Sequence, residues 1–270
     1  MPELPEVETI VRGLRRGIVG KTIAGAEVRL ARMAIAPPGV GFAKALAGER
    51  VVGVNRRGKY AVMELESGRL LVTGLRMTGR LVVTPARRDY PRAHIVIEFT
   101  DASRLHFADV RTFGRMRLVP AGELWDRELG IEPLSERFTQ EAFIGMLAGR
   151  TSTIKAFLLD QRRIAGIGNI YACEALWQAR VRPSRPARAL TRAAAGRLRH
   201  AIVDVLGRAI KRRGTTFDDY VDAEGAQGGF QNVLAVYGRH GERCARCKTS
   251  IIVRTVIAGR GTWWCRKCQR

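Results

Sequence analysis

Hydrophobic and polar residues follow different periods in successive parts of the chain. Near the amino terminus an apolar face recurs at helical spacing, formed by Val7, Ile10, Val11, Leu14 and Ile18. Pro5 suits the first turn of this predicted helix, and Gly20 ends it. From residue 21 to about 120 the pattern changes to short strand-like runs, namely RVVGV, KYAVMEL, RLLVTGL, RLVVT, HIVIEF and RMRLVP. Many short strands at close spacing indicate a β-sandwich or a barrel.

Helical patterns return after about residue 121. They cover residues 139–148, 153–161 and 170–180, and a long segment that ends at Gly214. The turn AGIGN (165–169) precedes the third of these helices, and Asn169 is a favourable N-cap for it. A basic, Pro-rich linker, RVRPSRPARAL, leads to the long helix.

Four of the five cysteines form two C-x-x-C pairs separated by 17 residues. The pairs are Cys244 with Cys247, and Cys265 with Cys268. This spacing predicts a tetrahedral site for one structural Zn²⁺, with a short hairpin between the pairs. Two disulfides are the alternative, which a cytoplasmic setting disfavours. The isolated Cys173 is expected to be a small buried hydrophobe.

These patterns divide the chain into three predicted domains. Residues 1–130 form a β domain, residues 131–235 a helical domain, and residues 236–270 a zinc module, which together make an α+β protein. No stretch reaches the ~18 consecutive apolar residues of a membrane span. The acidic N-terminus lacks the apolar core of a secretory signal, so we expect a cytoplasmic protein.

The charge indicates an anionic partner. The 270 residues carry a net charge of +22, and 40 of the 47 basic residues are arginine. Nucleic acid is the usual partner of such a chain, because arginine makes bidentate contacts with phosphates and bases. An anionic membrane surface is the alternative, but no basic amphipathic helix with a bulky apolar face is present.

The extreme N-terminus contains a possible nucleophile. Met1 precedes the small residue Pro2, a context in which the initiator methionine is commonly removed, leaving a free secondary amine. Such an α-amino group has a pKa of ~7.7–8.0, so it is far more nucleophilic at neutral pH than lysine. Its attack on a sugar aldehyde gives a positively charged iminium that favours elimination at the neighbouring carbon. Glu3 stands beside it as a possible proton carrier.

Motifs along the whole chain resemble those of bacterial formamidopyrimidine-DNA glycosylase. They are MPELPEVET at the terminus, RRGKY (56–60), LRMTG (75–79), DVRTFG (109–114), LLDQ (158–161), AGIGNIYACEAL (165–176), VYGRHG (236–241) and AGRGTWWCRKCQR (258–270). The resemblance implies an N-terminal β-sandwich with flanking helices, a helix–two-turn–helix domain and a C-terminal zinc-finger β-hairpin. It also implies a monomeric base-excision glycosylase that removes oxidised purines, notably 8-oxoguanine and formamidopyrimidines, from double-stranded DNA. An abasic-site lyase activity, with β,δ-elimination, accompanies it.

The resemblance also implies roles for particular residues. Pro2 is the nucleophile, Glu3 the general acid/base, and Lys59 lies near the lesion and its phosphate. Residues that contact DNA are Met77, Arg111 and Phe113, which enter the duplex, and Lys155, Asn169 and Arg260, which lie near the site or bind phosphates. Glu174 holds the amine terminus from below. From the residues alone, Met77 and Phe113 would instead be core side chains and Lys59 a solvated turn lysine.

One position and one segment make the match to the family pattern less complete. Gly74 stands where family members often have histidine, which removes one expected phosphate contact. The segment GAQGGF (225–230) lies where a variable base-capping loop is expected.

Two other functions fit parts of the sequence. The sister endonuclease VIII type prefers oxidised pyrimidines, but it more often has glycine in place of Leu4. A non-catalytic zinc-finger DNA-binding protein would explain the charge and the cysteines, but it needs no reactive terminus.

Overall fold

The computed structural model describes residues 2–86, 88–216, 222–223 and 225–270. Its helices are α1 (Leu4–Ile18), α2 (Phe42–Leu46), α3 (Gln140–Leu147), α4 (Ile154–Leu159), α5 (Asn169–Gln178) and α6 (Arg192–Lys211). Its strands are β1 (Ile23–Val28), β2 (Ala34–Ile35), β3 (Val51–Arg57), β4 (Tyr60–Leu65), β5 (Leu70–Gly74), β6 (Gly79–Thr84), β7 (Ala93–Phe99), β8 (Arg104–Asp109), β9 (Arg115–Val119), β10 (Ile252–Ile257) and β11 (Arg260–Cys265). The predicted α+β class is confirmed.

The predicted elements correspond to α1, to strands β3–β7 and β9, and to the four later helices. The strands β1, β2 and β8 were not predicted. β1 contains Gly25 and two alanines, and β8 begins with Arg104 and has His106 between its apolar residues. Both strands therefore lack the dense apolar run that indicates a strand in sequence, and pairing with β7 defines them instead.

The first compact unit consists of Met1–Arg127 and Arg212–Gln231. Two sheets form it, with strand orders β1-β7-β8-β6 and β2-β9-β5-β4-β3. All the neighbouring strands are antiparallel except β2 and β9. The inner faces of both sheets and the apolar side of α1 share one buried core. Each fully buried Leu, Ile or Phe in such a core contributes roughly 1.5–3 kcal/mol of transfer free energy.

The second compact unit consists of Glu128–Lys211 and Asn232–Arg270. Helix α5 is buried along nearly its whole length, from Ile170 to Leu176, because α4, α6 and β11 all pack against it. The β10–β11 hairpin joins this unit through a small cluster formed by Cys173, Val236, Cys244, Ile252 and Cys265. Among the helices in the described ranges, none combines the length and apolarity that a bilayer crossing requires.

Candidate nucleic-acid and catalytic site

The N-terminal pair Pro2 and Glu3 is buried at the start of α1. The Glu3 backbone N–H donates a 2.8 Å hydrogen bond to Oε2 of Glu6, and Oε1 of Glu6 accepts one of 2.7 Å from the backbone of Thr215. Only 1% of Glu6 is exposed. Glu6 therefore fixes the direction in which the chain enters α1, and with it the position of Pro2.

Glu6 is a residue that the sequence analysis missed. A glutamate three positions after the residue that precedes a helix is the second half of a capping box, so this signal was available. Gly214, next to Thr215, has φ +78°, and a Cβ atom there would lie 2.8 Å from Oε1 of Glu6. The contact thus depends on glycine at position 214.

Lys59 lies in the tight turn between β3 and β4. Gly58, with φ +58°, provides the left-handed conformation that this turn requires, and Lys59 is half-buried. The hairpin is tied to α1, because Arg56 donates to Glu8 at 3.1 Å and Arg15 donates to the Val54 carbonyl at 2.8 Å. Helix α1, which directly follows Pro2 and Glu3, and the turn that carries Lys59 are thereby held together within the first unit.

Glu8 is the ionised partner in this connection. Burial acts to raise the pKa of Glu8, but hydrogen bonds and charges from Arg12 and Arg56 outweigh it and hold the pKa below its ordinary value. The Arg12 contact is 2.9 Å long. The carboxylate therefore remains charged at neutral pH and stabilises the junction of α1 and β3.

Met77, Arg111 and Phe113 lie together on the surface of the first unit. Nη1 of Arg111 lies 3.1 Å from Sδ of Met77, and its Cζ atom is 4.8 Å from the centre of the Phe113 ring. Met77 is 42% exposed and Phe113 51%. The interpretation of both as core residues is therefore wrong. The expectation from the resemblance, that these three residues enter the duplex, stays a prediction.

Asn169 begins α5 but is not its N-cap, which corrects the sequence prediction. Gly168 occupies the N-cap position in an extended conformation, and Asn169 is the first helical residue. The preceding Gly166 has φ +94°, and this turn directs the chain into α5. The Asn169 side chain instead donates from Nδ2 to the Gly261 carbonyl at 2.9 Å.

This hydrogen bond connects the start of α5 to the zinc hairpin beside Arg260. Arg260 is exposed and is the first residue of β11. It follows the turn residues Ala258 and Gly259, both of which have positive φ. Backbone N–H groups at a helix start and a nearby arginine are suited to phosphate binding.

Lys155 is fully buried beneath the turn that leads into α5. Its Nζ donates to the Asn169 carbonyl at 3.2 Å and to Sγ of Cys173 at 2.8 Å. Cys173 is fully buried, as predicted, and burial raises the pKa of its thiol although Lys155 acts in the opposite direction. Lys155 therefore supports the start of α5 from inside the unit, and a direct contact with DNA stays a prediction.

Glu174 is also buried, at 4% exposure. Its carboxylate accepts three backbone hydrogen bonds, from Ala235 at 2.8 Å and from Val236 and Tyr237 at 2.9 Å each. Burial raises the pKa of Glu174, whereas these three N–H groups act to lower it. Within its own unit, Glu174 fixes the segment that leads into the zinc module. Its role toward Pro2 stays a prediction.

The sulfurs of the four predicted ligands, Cys244, Cys247, Cys265 and Cys268, all lie within 4.8 Å of one another. Sγ of Cys244 is 3.9 Å from that of Cys268, and Sγ of Cys247 is 3.8 Å from that of Cys265. Tetrahedral coordination with Zn–S bonds of ~2.3 Å separates the sulfurs by about 3.8 Å. The four thiolates thus fit one structural zinc ion, and the disulfide alternative is rejected.

Packing explains the glycine at position 74, where the resemblance led us to expect a histidine. A Cβ atom at position 74 would lie 2.9 Å from the ring of Tyr60. That ring packs edge-on against Trp125, with 5.4 Å between the ring centres. Tyr60 therefore occupies the space that a side chain at position 74 would need.

The segment 225–230, expected to be a base-capping loop, is joined to residues that follow α6. Gly228 donates to the Thr216 hydroxyl at 2.9 Å, and Gly229 donates to the Arg212 carbonyl at 2.9 Å. Phe230 is buried. The described part of the loop is therefore anchored at its carboxyl end, and residues 217–221 and 224 lie outside the described residues.

Together, the described residues include a buried Pro2–Glu3 pair before α1, an exposed cluster of Met77, Arg111 and Phe113, and a hairpin with four clustered cysteines. Comparison with known families assigns the chain. Residues 1–116 match the formamidopyrimidine-DNA glycosylase N-terminal domain, residues 129–220 its H2TH domain, and residues 241–270 the zinc finger found in FPG and IleRS. The chain belongs to the formamidopyrimidine-DNA glycosylase family.

Individual relatives agree over their full lengths. The chain is 44% identical to the formamidopyrimidine-DNA glycosylase of Pelotomaculum thermopropionicum, with 100% of this chain and 99% of the relative covered. The crystal structure of MutM (Fpg) from Thermus thermophilus has a TM-score of 0.88 at 40% identity, covering 99% and 98% of the two chains. The Lactococcus lactis Fpg complex with abasic-site DNA has a TM-score of 0.90 at 36% identity, covering 99% of each chain.

Proposed function

We propose that the protein removes oxidised purines from duplex DNA and then cleaves the strand at the resulting abasic site. The Pro2 amine is the nucleophile in both stages. This base-excision activity is that of the family, and the relatives solved with lesion-containing or abasic DNA support it. The enzyme works in the cytoplasm, on the DNA that is its substrate.

The observation that carries the proposal is the exposed cluster of Met77, Arg111 and Phe113, which we call the insertion cluster. Extruding a base from a duplex leaves a gap and an unpaired partner base. A methionine and an aromatic ring can separate neighbouring bases of the duplex or fill the gap between them, while a guanidinium can hydrogen-bond the partner base. A protein that only bound the phosphate backbone would not need two large apolar side chains exposed to solvent.

The chemistry follows from the properties of a secondary amine. After removal of Met1, the Pro2 nitrogen attacks C1′ of the damaged nucleotide, and the C1′–base bond breaks as the sugar ring opens. The product is an iminium that withdraws electrons from C2′. Loss of a C2′ proton then expels the 3′ phosphate, and loss of a C4′ proton expels the 5′ phosphate. Water hydrolyses the remaining iminium, which releases the unsaturated sugar fragment as an aldehyde and regenerates the Pro2 amine. Glu3, adjacent to Pro2, is the proton carrier for base loss and the later proton transfers.

The basic residues supply affinity for DNA. In the first unit, Lys59 provides a point charge near the reacting sugar. In the second unit, the α5 start and Arg260 bind phosphates, and the zinc ion holds the hairpin that carries Arg260. Lys155 and Glu174 position these parts from the interior of that unit.

Single-turnover assays on three duplexes test the proposal. One duplex carries 8-oxoguanine, the second an oxidised pyrimidine, and the third a preformed abasic site. We expect excision of the purine lesion, faster than that of the pyrimidine, and strand cleavage that leaves a one-nucleotide gap with phosphate at both ends. Preferential excision of the pyrimidine would identify the endonuclease VIII activity. Binding without cleavage of any duplex would identify a non-catalytic DNA-binding protein.

A further inference from the structure

Asp109, the last residue of β8, connects the two loops that carry the insertion cluster. Only 1% of Asp109 is exposed. Its Oδ2 accepts a hydrogen bond of 2.7 Å from the Gly114 N–H. Its Oδ1 accepts one from the Thr78 hydroxyl and one of 3.2 Å from the Arg111 N–H. A single buried carboxylate thereby binds both loops.

The two loops hold conformations that need such support. Arg76 and Thr112, which flank the insertion residues, have φ +57° and +53°, in the left-handed region that is unfavourable for residues other than glycine. Gly114 has no room for a side chain, because a Cβ atom would lie 2.6 Å from the Phe107 ring. Strained backbone of this kind persists only where surrounding contacts maintain it.

Thr78 extends the connection. Besides donating to Asp109, its hydroxyl accepts a hydrogen bond of 3.1 Å from the Arg111 N–H. Thr78 follows Met77 directly, and Arg111 lies two residues after Asp109. The Met77 loop and the Arg111–Phe113 loop are thus joined at their bases, while the three side chains above remain exposed.

We propose that Asp109 is a positioning residue for base extrusion, because its carboxylate fixes the three insertion residues in one arrangement before DNA binds. The proposal rests on the proposed function, because the insertion of these three residues into the duplex is part of that function. It assigns no chemistry to Asp109 itself. It explains why an acceptor-only group occupies this place. Three donors converge on two oxygens, and a neutral amide could not accept from all of them.

The decisive variant is Asp109→Asn, which keeps the size of the side chain. Its NH₂ group would face one of the converging donors, so one loop would lose its anchor. Thr78→Val is a second variant that removes the hydroxyl and keeps the carboxylate and the side-chain volume, and Thr78→Ser restores the hydroxyl. The matched control is Asp101→Asn, because Asp101 lies in the turn before β8 and binds Ser103 and Lys21 there.

The experiment measures insertion separately from chemistry. The full-length, zinc-loaded proteins bind a duplex with a non-cleavable abasic analogue and 2-aminopurine opposite it, and the fluorescence reports unstacking of that base. Single-turnover rates on an 8-oxoguanine duplex and on a preformed abasic duplex are measured in parallel. Thermal unfolding monitors the fold.

We expect Asp109→Asn and Thr78→Val to reduce the fluorescence change and to slow 8-oxoguanine excision about ten-fold, as the loss of a buried hydrogen-bond partner implies. Cleavage of the abasic duplex should change much less, and Thr78→Ser and Asp101→Asn should behave like the unmodified protein. Equal losses on both duplexes, or an unchanged fluorescence response in both main variants, would overturn the proposal. Because fluorescence requires no bond cleavage, it decides on Asp109 even if the reaction assigned to Pro2 is wrong.

Discussion

The Arg111 guanidinium lies 4.8 Å from the centre of the Phe113 ring. Such a cation–π contact contributes only about 0.5–1 kcal/mol at an exposed site. Phe113 gains little burial in return, since half of its surface remains in water. The arrangement therefore contributes little to folding, which agrees with the proposal that the ring and the guanidinium act on DNA.

The first prediction separates insertion from chemistry. Phe113→Ala and Arg111→Ala should slow excision of 8-oxoguanine from an intact duplex strongly, because unstacking and unpairing a base costs a few kcal/mol that these residues offset. Cleavage of a preformed abasic site should be affected much less, since no base has to be extruded. Single-turnover rates on the paired duplexes measure the difference.

Glu3→Gln is the contrasting variant for this experiment. It removes a proton carrier needed for base loss, a contribution of ~10²–10⁴-fold in general, but leaves insertion intact. Equal losses on both substrates for Phe113→Ala would mean that the ring supports the fold or the active site rather than insertion.

The second prediction concerns the zinc ion. Chelation, or Cys247→Ser, should abolish most DNA binding, because metal binding supplies about 10–16 kcal/mol of folding free energy in small zinc modules. The β-sandwich should stay folded, since it has its own core. Metal analysis, fluorescence anisotropy with a duplex and circular dichroism together measure these effects.

Arg260→Ala is the control for zinc removal. This variant should retain zinc and reduce the salt dependence of DNA binding by about one counterion. Normal DNA affinity in a protein shown to lack zinc would contradict the role assigned to the hairpin.

The third prediction is a pH dependence that arises from Glu8. Its pKa in the folded protein lies below the ordinary value of 4.5. Its stabilising effect is therefore fully present above that value and is lost as the pH falls through the lower, folded-state pKa. Glu8→Gln should lower the unfolding free energy at neutral pH by on the order of 1 kcal/mol, a figure that allows for solvent screening of a partly exposed pair.

Denaturant titrations at several pH values measure this contribution. The difference between the unmodified protein and Glu8→Gln should shrink as the pH falls below 4.5. A difference that stays constant down to the lowest pH would show that the ion pair with Arg56 and Arg12 does not stabilise the junction of α1 and β3.

The fourth prediction tests Glu174. In Glu174→Gln the side-chain NH₂ would face one of the three backbone N–H groups that now donate hydrogen bonds to the carboxylate. The free energy of unfolding should fall by roughly 1–3 kcal/mol, the cost of leaving a buried donor without a partner. Glu141→Gln is the matched control, because Glu141 is exposed and pairs only weakly with Arg192 across the surface. Equal effects of the two substitutions would contradict the account of Glu174.

The zinc site could be predicted from the sequence because its chemistry is local. Two C-x-x-C pairs bring their sulfurs together through short turns, and the spacing alone indicates the metal. Helix α1 could also be predicted from the sequence, since its apolar period and its terminal signals agree.

The insertion cluster could not be obtained from residue patterns. Met77 and Phe113 have the hydrophobicity of core residues, and only the fold places them outside the sheets. The role of Asp109 could not be predicted either, because one of its three donors, Thr78, lies 31 residues earlier in another loop, and only the fold brings the two loops together. The N-cap of α5 was also assigned wrongly, since Gly168 takes the extended N-cap conformation and the Asn169 side chain donates to the Gly261 carbonyl, 92 residues away.

The most direct test of the central claim locates the covalent bond to DNA. The protein is incubated with an abasic duplex and borohydride, and the trapped complex is digested and analysed by mass spectrometry. We predict that the reduced sugar adduct is found on the peptide that begins with Pro2, because its secondary amine forms the iminium. An adduct on the peptide containing Lys59 or Lys155, or the absence of any adduct, would contradict the account.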